Sequence, residues 1–138
     1  MANVIYDKGR ESFAKGEVSW SGDNIKAALI RTGAGHYVVN LATDQFLNII
    51  ASGDIIARTA NLGTKTTAAG VMGAANTVFA AVTNGSPYGA VVVFDDTGTD
   101  NTSRLIAYID TAAGLPSTGT GADVNLAWAT DANKIFKL

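Results

Sequence analysis

The chain has 138 residues, ten Lys and Arg against twelve Asp and Glu for a formal charge of −2, and no cysteine. One domain of this length buries roughly two-thirds of its unfolded surface without staples. The missing cysteines exclude disulfides, thiolate metal sites and thiol catalysis, and the acidic balance speaks against a nucleic-acid surface.

Only 16% of residues are charged and 15 are glycine, with Ala, Thr and Val abundant, a composition closer to a packed β protein than to a helical bundle. Charge is unevenly placed. Residues 1–65 carry seven cations and six anions, whereas residues 66–138 carry three and six, with no cation between Lys65 and Arg104. Buried strands and short turns account for such a gap. The sharper reading is an acidic face around Asp95, Asp96 and Asp100 that steers a basic partner.

In chain order, Asn3–Tyr6 reads as a short strand. Asp7–Ala14 reads as a helix of at most two turns, with Asp7 as N-cap and Gly16 as its stop. Charges by the seventh residue leave no apolar stretch for a signal peptide, and no run approaches the ~18 apolar residues of a membrane helix. A cytoplasmic site of synthesis is therefore expected, and the sequons at Asn84 and Asn101 are chance matches. After a turn at Ser21–Asn24, Ile25–Arg31 is a strand, because no helix fits between Asn24 and Gly33. His36–Leu41 is expected to continue as a strand. Thr43–Ile50 (TDQFLNII) is the one amphipathic helical piece, capped by Thr43 or Asp44, with Phe46, Leu47 and Ile50 inward.

Strands are then expected at Ile55–Asn61, Lys65–Ala69, Thr77–Val82, Ala90–Phe94, Leu105–Asp110, Asp123–Trp128 and Lys134–Leu138, separated by Gly, Asn, Asp or Pro. Asn84-Gly85 marks a tight reversal, and Leu115–Gly121 reads as loop alone. The chain centres on Tyr88–Ala112. There two apolar β-type runs flank Asp95–Ser103, whose side-chain oxygens and Gly98 suit a long hairpin loop. The fold class is thus all-β, a β-sandwich or jelly roll with one or two short helices, and residues 1–138 form one domain with 1–16 as an N-terminal arm.

Chemistry is sparse. The only histidine, His36, has no G-x-S-x-G elbow to serve, since Gly85-Ser86-Pro87-Tyr88-Gly89 places proline directly after the nucleophile. Asp95 and Asp96 are neighbours in an extended chain and point to opposite faces, so they cannot act as an acid/base pair. Gly63-Thr64-Lys65-Thr66 lacks the glycines of a phosphate loop, and Gly33-Ala34-Gly35 fails as a dinucleotide pattern at Val38. Asp95, Asp96, Asp100 and Asn101 offer hard oxygens but not the spacing of a calcium loop. No catalytic, cofactor or metal site is assigned, and no cofactor is expected.

The opening YDKGRESFAKGEVSW, then DNIKAALI, ATDQFLNII, the hairpin VVVFDDTGTDNTSRLIAYIDTAAGLP and the closing WATDANKIFKL together resemble small virion proteins of tailed bacteriophages. The chain is similar to head decoration (cement) proteins over nearly its whole length, through overall pattern and not through a catalytic motif. The resemblance implies a compact β domain added to the capsid exterior after synthesis in the host cytoplasm. Its implied partners are the phage major capsid protein and itself, as a homodimer or homotrimer, with no nucleic acid and no membrane. A phage tail or tail-fibre-associated role is the alternative, and a calcium-dependent carbohydrate-binding β-sandwich module a more distant one. Tyr6, Arg10 and Phe13 of the N-terminal segment, with Trp20 as a second aromatic anchor, are the candidate residues for the capsid or a neighbouring protomer; core packing is the competing role for each.

Overall fold

The computed structural model describes residues 4–110, 115–128 and 135–138. Asn3 and Lys134, outer residues of two expected strands, lie outside that set. The protein is built mostly of β-strands in antiparallel sheets with one short helix, which bears out the all-β reading.

The central sheet has five strands in the order β1 (Val4–Ile5), β8 (Arg104–Ile109), β7 (Ala90–Asp95), β2 (Ile25–Ile30) and β3 (Ile55–Arg58). β7 lies at its middle, and the β7–β8 hairpin closes through the loop expected from its Asp, Gly and Thr residues. Every residue of β7 is buried, as a strand covered on both faces must be, and its near-continuous apolar run reflects that. Alternation sorts the side chains. Ala27, Leu29, Val91 and Val93 belong to one core cluster, and Ala28, Ile30, Ala90, Val92 and Phe94 to the other. Across β7 the register slips between Val93 and Phe94, which pair with Ala107 and Leu105. Ile106 is the extra residue of this bulge, so Ile106 and Ala107 both face the first cluster.

Three two-stranded ribbons supply that first cluster. They are β4 (Val71–Met72) with β11 (Phe136–Lys137), β5 (Thr77–Phe79) with β10 (Val124–Leu126), and β6 (Pro87–Tyr88) with β9 (Ser117–Thr118). They contribute Met72, Phe136, Phe79, Leu126 and Tyr88, joined by Trp20 and Trp128. The second cluster is covered instead by the irregular stretch 31–54, which supplies Tyr37, Leu47 and Ile50, and by Tyr6.

The helix α1 spans Asp7–Ala14 as expected, but its N-cap is Tyr6, with Asp7 in the first turn. Gly16 follows at φ +72°, a left-handed conformation that glycine adopts without strain and that ends the helix. α1 lies along β8. A Cβ on Gly9 would stand 2.9 Å from the Leu105 carbonyl oxygen and 3.0 Å from that of Ile106, so helix and strand meet backbone to backbone.

Several expected elements differ. Thr43–Ile50 is not an α-helix and keeps only a 3-10 turn at Leu47–Ile49. Leu47 and Ile50 still point inward, while Phe46 is half-buried. The cause is Asp44, whose carboxylate is buried and accepts from the Asn40 backbone N–H and the Tyr37 hydroxyl, drawing the chain out of helical geometry. His36–Leu41 forms no strand beyond an isolated bridge between Tyr37 and Thr32. Lys65–Ala69 is likewise no strand; it holds one bridge, Thr66 to Gly73, beside left-handed residues at Thr64 and Ala69. Leu115–Gly121 is not loop alone, because Ser117–Thr118 pairs with Pro87–Tyr88.

Candidate functional site

A surface that docks on another protein offers exposed side chains, unpaired strand backbone or uncompensated charge, and the three are distributed unevenly here. Of the four N-terminal candidates, Tyr6 is 0% exposed and Trp20 3%, which corrects their assignment as surface anchors. The Tyr6 hydroxyl bonds the Tyr37 hydroxyl at 2.8 Å, and Tyr37 in turn donates to Asp44 at 2.6 Å. Burial pushes the ionisation of Tyr6 and Tyr37 far up, so both remain neutral donors. The Trp20 indole packs edge-on against Phe136 at 5.2 Å and donates to the Gly73 carbonyl. Both rings enter the core because the chain reverses direction beside them, after β1 and before β2.

Phe13 is half-buried, 6.1 Å from the Phe136 ring, at the border of the ribbon-covered core. Arg10 is exposed and reaches Asp7 one turn earlier at 3.4 Å. An exposed pair of this kind stabilises by well under 1 kcal/mol, at about 0.3–0.5 kcal/mol for helix neighbours, so Arg10 remains available to an outside carboxylate. The outer face of α1 also carries Lys8, Glu11 and Lys15 in one charge cluster.

The two sheet edges are unlike. On the β8 side, Val4 and Ile5 pair with Tyr108 and Ala107, the Tyr6 N–H donates to the Ile106 carbonyl, and the Leu105 N–H donates to the Gln45 carbonyl. β8 is thus occupied along this side, and the two-residue β1 is the terminal strand there. β3, at the other end, pairs with β2 on one side only; among the described residues no strand lies beyond it. Ile55, Ile56 and Ala57 are half-exposed and Arg58 is exposed.

The loop after β7 does not present the acidic face that charge counting suggested. Asp96 pairs with Lys26 at 2.5 Å, and Asp100 takes both guanidinium nitrogens of Arg58 at 2.8 and 2.9 Å. These hydrogen bonds hold both carboxyls below the usual range. Lys26 stands opposite Phe94, two residues from Asp96, the diagonal position a long side chain reaches across a sheet. Asp95 turns the other way and is 6% exposed. Its burial, and then the nearby Asp23 carboxylate, raise its pKa to about 6. The loop's charge is thus spent inside the molecule, a pairing between residues 42 and 70 positions apart that chain order does not reveal.

His36 Nδ1 stands 2.8 Å from Asp54 Oδ1, a link that fastens the Gly33–Gly35 turn to the entry of β3. Among the described residues, no three His, Asp or Glu side chains converge as metal ligands would, and no helix is long and apolar enough to cross a membrane. Compared with family models and with curated proteins, the chain matches none.

Proposed function

We propose that the protein is a bacteriophage virion structural protein, a decoration or cement protein that binds the outside of the icosahedral head and stabilises contacts between major capsid protein subunits. The observation that carries this reading is the β3 edge. A strand with one side unpaired offers its backbone N–H and C=O groups to a strand of another chain, the geometry of β-augmentation. Arg10 and Phe13 on α1 supply a second point of attachment, a charge and a half-buried ring on the opposite side of the sheet order. Two such points let one small domain bridge two subunits, and repetition over a lattice turns modest contacts into a strong hold through effective concentration. In finer architecture we read the three ribbons as the second layer of a β-sandwich laid over the five-stranded sheet. The resemblance of the sequence to head decoration proteins supports the same role, with the major capsid protein and a second copy of this chain as partners.

Virions probed with antibody against this chain are expected to carry signal over the head, with copy number comparable to the major capsid protein, and heads lacking the protein to break at lower temperature and in low salt. Signal confined to the tail with few copies overturns the proposal in favour of a tail-fibre-associated role. Arg10→Ala and Phe13→Ala together are expected to reduce head occupancy while the protein stays folded.

A further inference from the structure

An open cavity of about 340 Å³ lies between the end of β2 and the β6–β9 ribbon, lined by Arg31, Thr32, Pro87, Tyr88, Gly89, Pro116, Ser117 and Thr118. That volume is at the lower end of the range for small-molecule sites, roughly 300–1,000 Å³. Its charge is one-sided. Arg10, Arg58 and Arg104 each reach a carboxylate, whereas half-buried Arg31 has no carboxylate partner among the described residues. Its backbone is held, since the Arg31 N–H donates to the Asp54 carbonyl and the chain enters directly from β2. A guanidinium partly withdrawn from water and left without a counter-charge gains from an incoming carboxylate, which it binds through two parallel N–H donors.

The rest of the lining narrows the ligand. Thr32 brings one hydroxyl and β9 a second, because Ser117 and Thr118 are consecutive strand residues on opposite faces; each hydroxyl is able to donate and to accept. The Thr32 hydroxyl packs so closely over Gly89 that a Cβ there would collide with it, which fixes its position. Pro87 and Pro116 form apolar walls. A ligand that satisfies all of this carries its carboxylate on a small rigid body with its own hydroxyls and C–H faces.

We propose that this cavity binds an acidic monosaccharide of the uronate class, with its carboxylate on Arg31 and its ring hydroxyls on Thr32 and on whichever of Ser117 and Thr118 faces the cavity. A glutamate or aspartate side chain of a protein partner matches the first contact and leaves the two hydroxyls unmatched. The site involves none of the α1 or β3 residues assigned to capsid binding and stands or falls independently of that role.

The test is a titration of the isotope-labelled protein with galacturonate, galactose and a blocked glutamate, followed by amide and arginine side-chain NMR and by calorimetry. Galacturonate is expected to shift Arg31, Thr32, Ser117 and Thr118 and to bind at least about tenfold more tightly than galactose or the blocked glutamate, as charge-assisted hydrogen bonds to a matched ligand predict. Arg31→Gln, which keeps the backbone bond to Asp54, is expected to remove that preference, and one of Ser117→Ala and Thr118→Val, the one whose hydroxyl faces the cavity, to weaken galacturonate and galactose alike. The proposal is overturned if galacturonate leaves these resonances unmoved, if galactose binds as well, or if the blocked glutamate binds better, which reassigns the cavity to a protein acid. Should Arg31→Gln fail to fold, the order of the three ligands on the unaltered protein decides the matter alone.

Discussion

The two faces of the central sheet are covered by different means. Over one lie three ribbons and an apolar cluster in which Trp20, Phe79, Trp128 and Phe136 meet. Over the other lies the irregular stretch 31–54, held down by a buried chain of hydroxyls and a carboxylate, Tyr6 to Tyr37 to Asp44. A ribbon satisfies its own backbone and needs only apolar contact to stay in place. An irregular segment leaves backbone groups that side chains must satisfy once it covers a core, and Asp44 does so by accepting from the Asn40 N–H. One face is therefore held mainly by packing, the other by packing and specific polar bonds.

The largest effect is expected on the ribbon side. Trp20→Ala removes the edge-on contact with Phe136 and one of the two donors to the Gly73 carbonyl, which keeps the Thr66 N–H, and is expected to cost about 3–5 kcal/mol in urea unfolding. On the other side Tyr37→Phe keeps the ring and removes the link between Tyr6 and Asp44. About 1–3 kcal/mol is expected, with faster amide exchange confined to the 31–54 stretch. Equal protection changes over both faces would show that the two coverings do not act separately.

The smallest effect depends on pH and belongs to the rim of the ribbon-covered face, where Asp95 continues the alternation of Val91 and Val93. Its pKa, ordinarily 3.8, is raised to about 6 in the folded protein by burial and by Asp23. A raised carboxyl binds its proton more tightly when folded, so its contribution to stability is full below about pH 4 and is lost as pH rises through about 6. Melting temperature is expected to rise through this group as pH falls from 7 toward 5, and Asp95→Asn to abolish that part of the profile.

The same division explains what was legible in the sequence. Ile25–Arg31, Ala90–Phe94, Leu105–Asp110 and Asp7–Ala14 carry local signals strong enough to be read directly, as runs of β-branched and apolar residues or a short helix ended by Gly16. Apart from the helix, they form the three inner strands of the sheet, β2, β7 and β8. The coverings were harder. TDQFLNII has helical spacing, yet the bonds that Asp44 accepts from Asn40 and Tyr37, four and seven residues back, and the bridge from Phe46 to the distant Arg104 override it. Ser117–Thr118 has the composition of a loop and becomes a strand only because Pro87–Tyr88 lies alongside. At the candidate surface, aromatic character singled out Tyr6 and Trp20, but ring chemistry is the same in a core as in an interface, and only the fold separates them. The β3 edge and an Arg31 without a carboxylate partner among the described residues had no sequence signal; each is defined by which described neighbours fail to arrive.

The occupation of β8 limits how copies of this chain can join through their sheets. Because β1, Tyr6 and Gln45 occupy the hydrogen-bonding groups along β8 and Gly9 brings a helix against its carbonyls, the end strands of this sheet are the two-residue β1 and the four-residue β3, and among the described residues β3 offers the longer open side. Two copies joined β3 to β3 about a twofold axis would use the same edge of each, the self-complementary arrangement of a twofold interface. A sheet joined in that way would run to ten strands, twice the five of one copy.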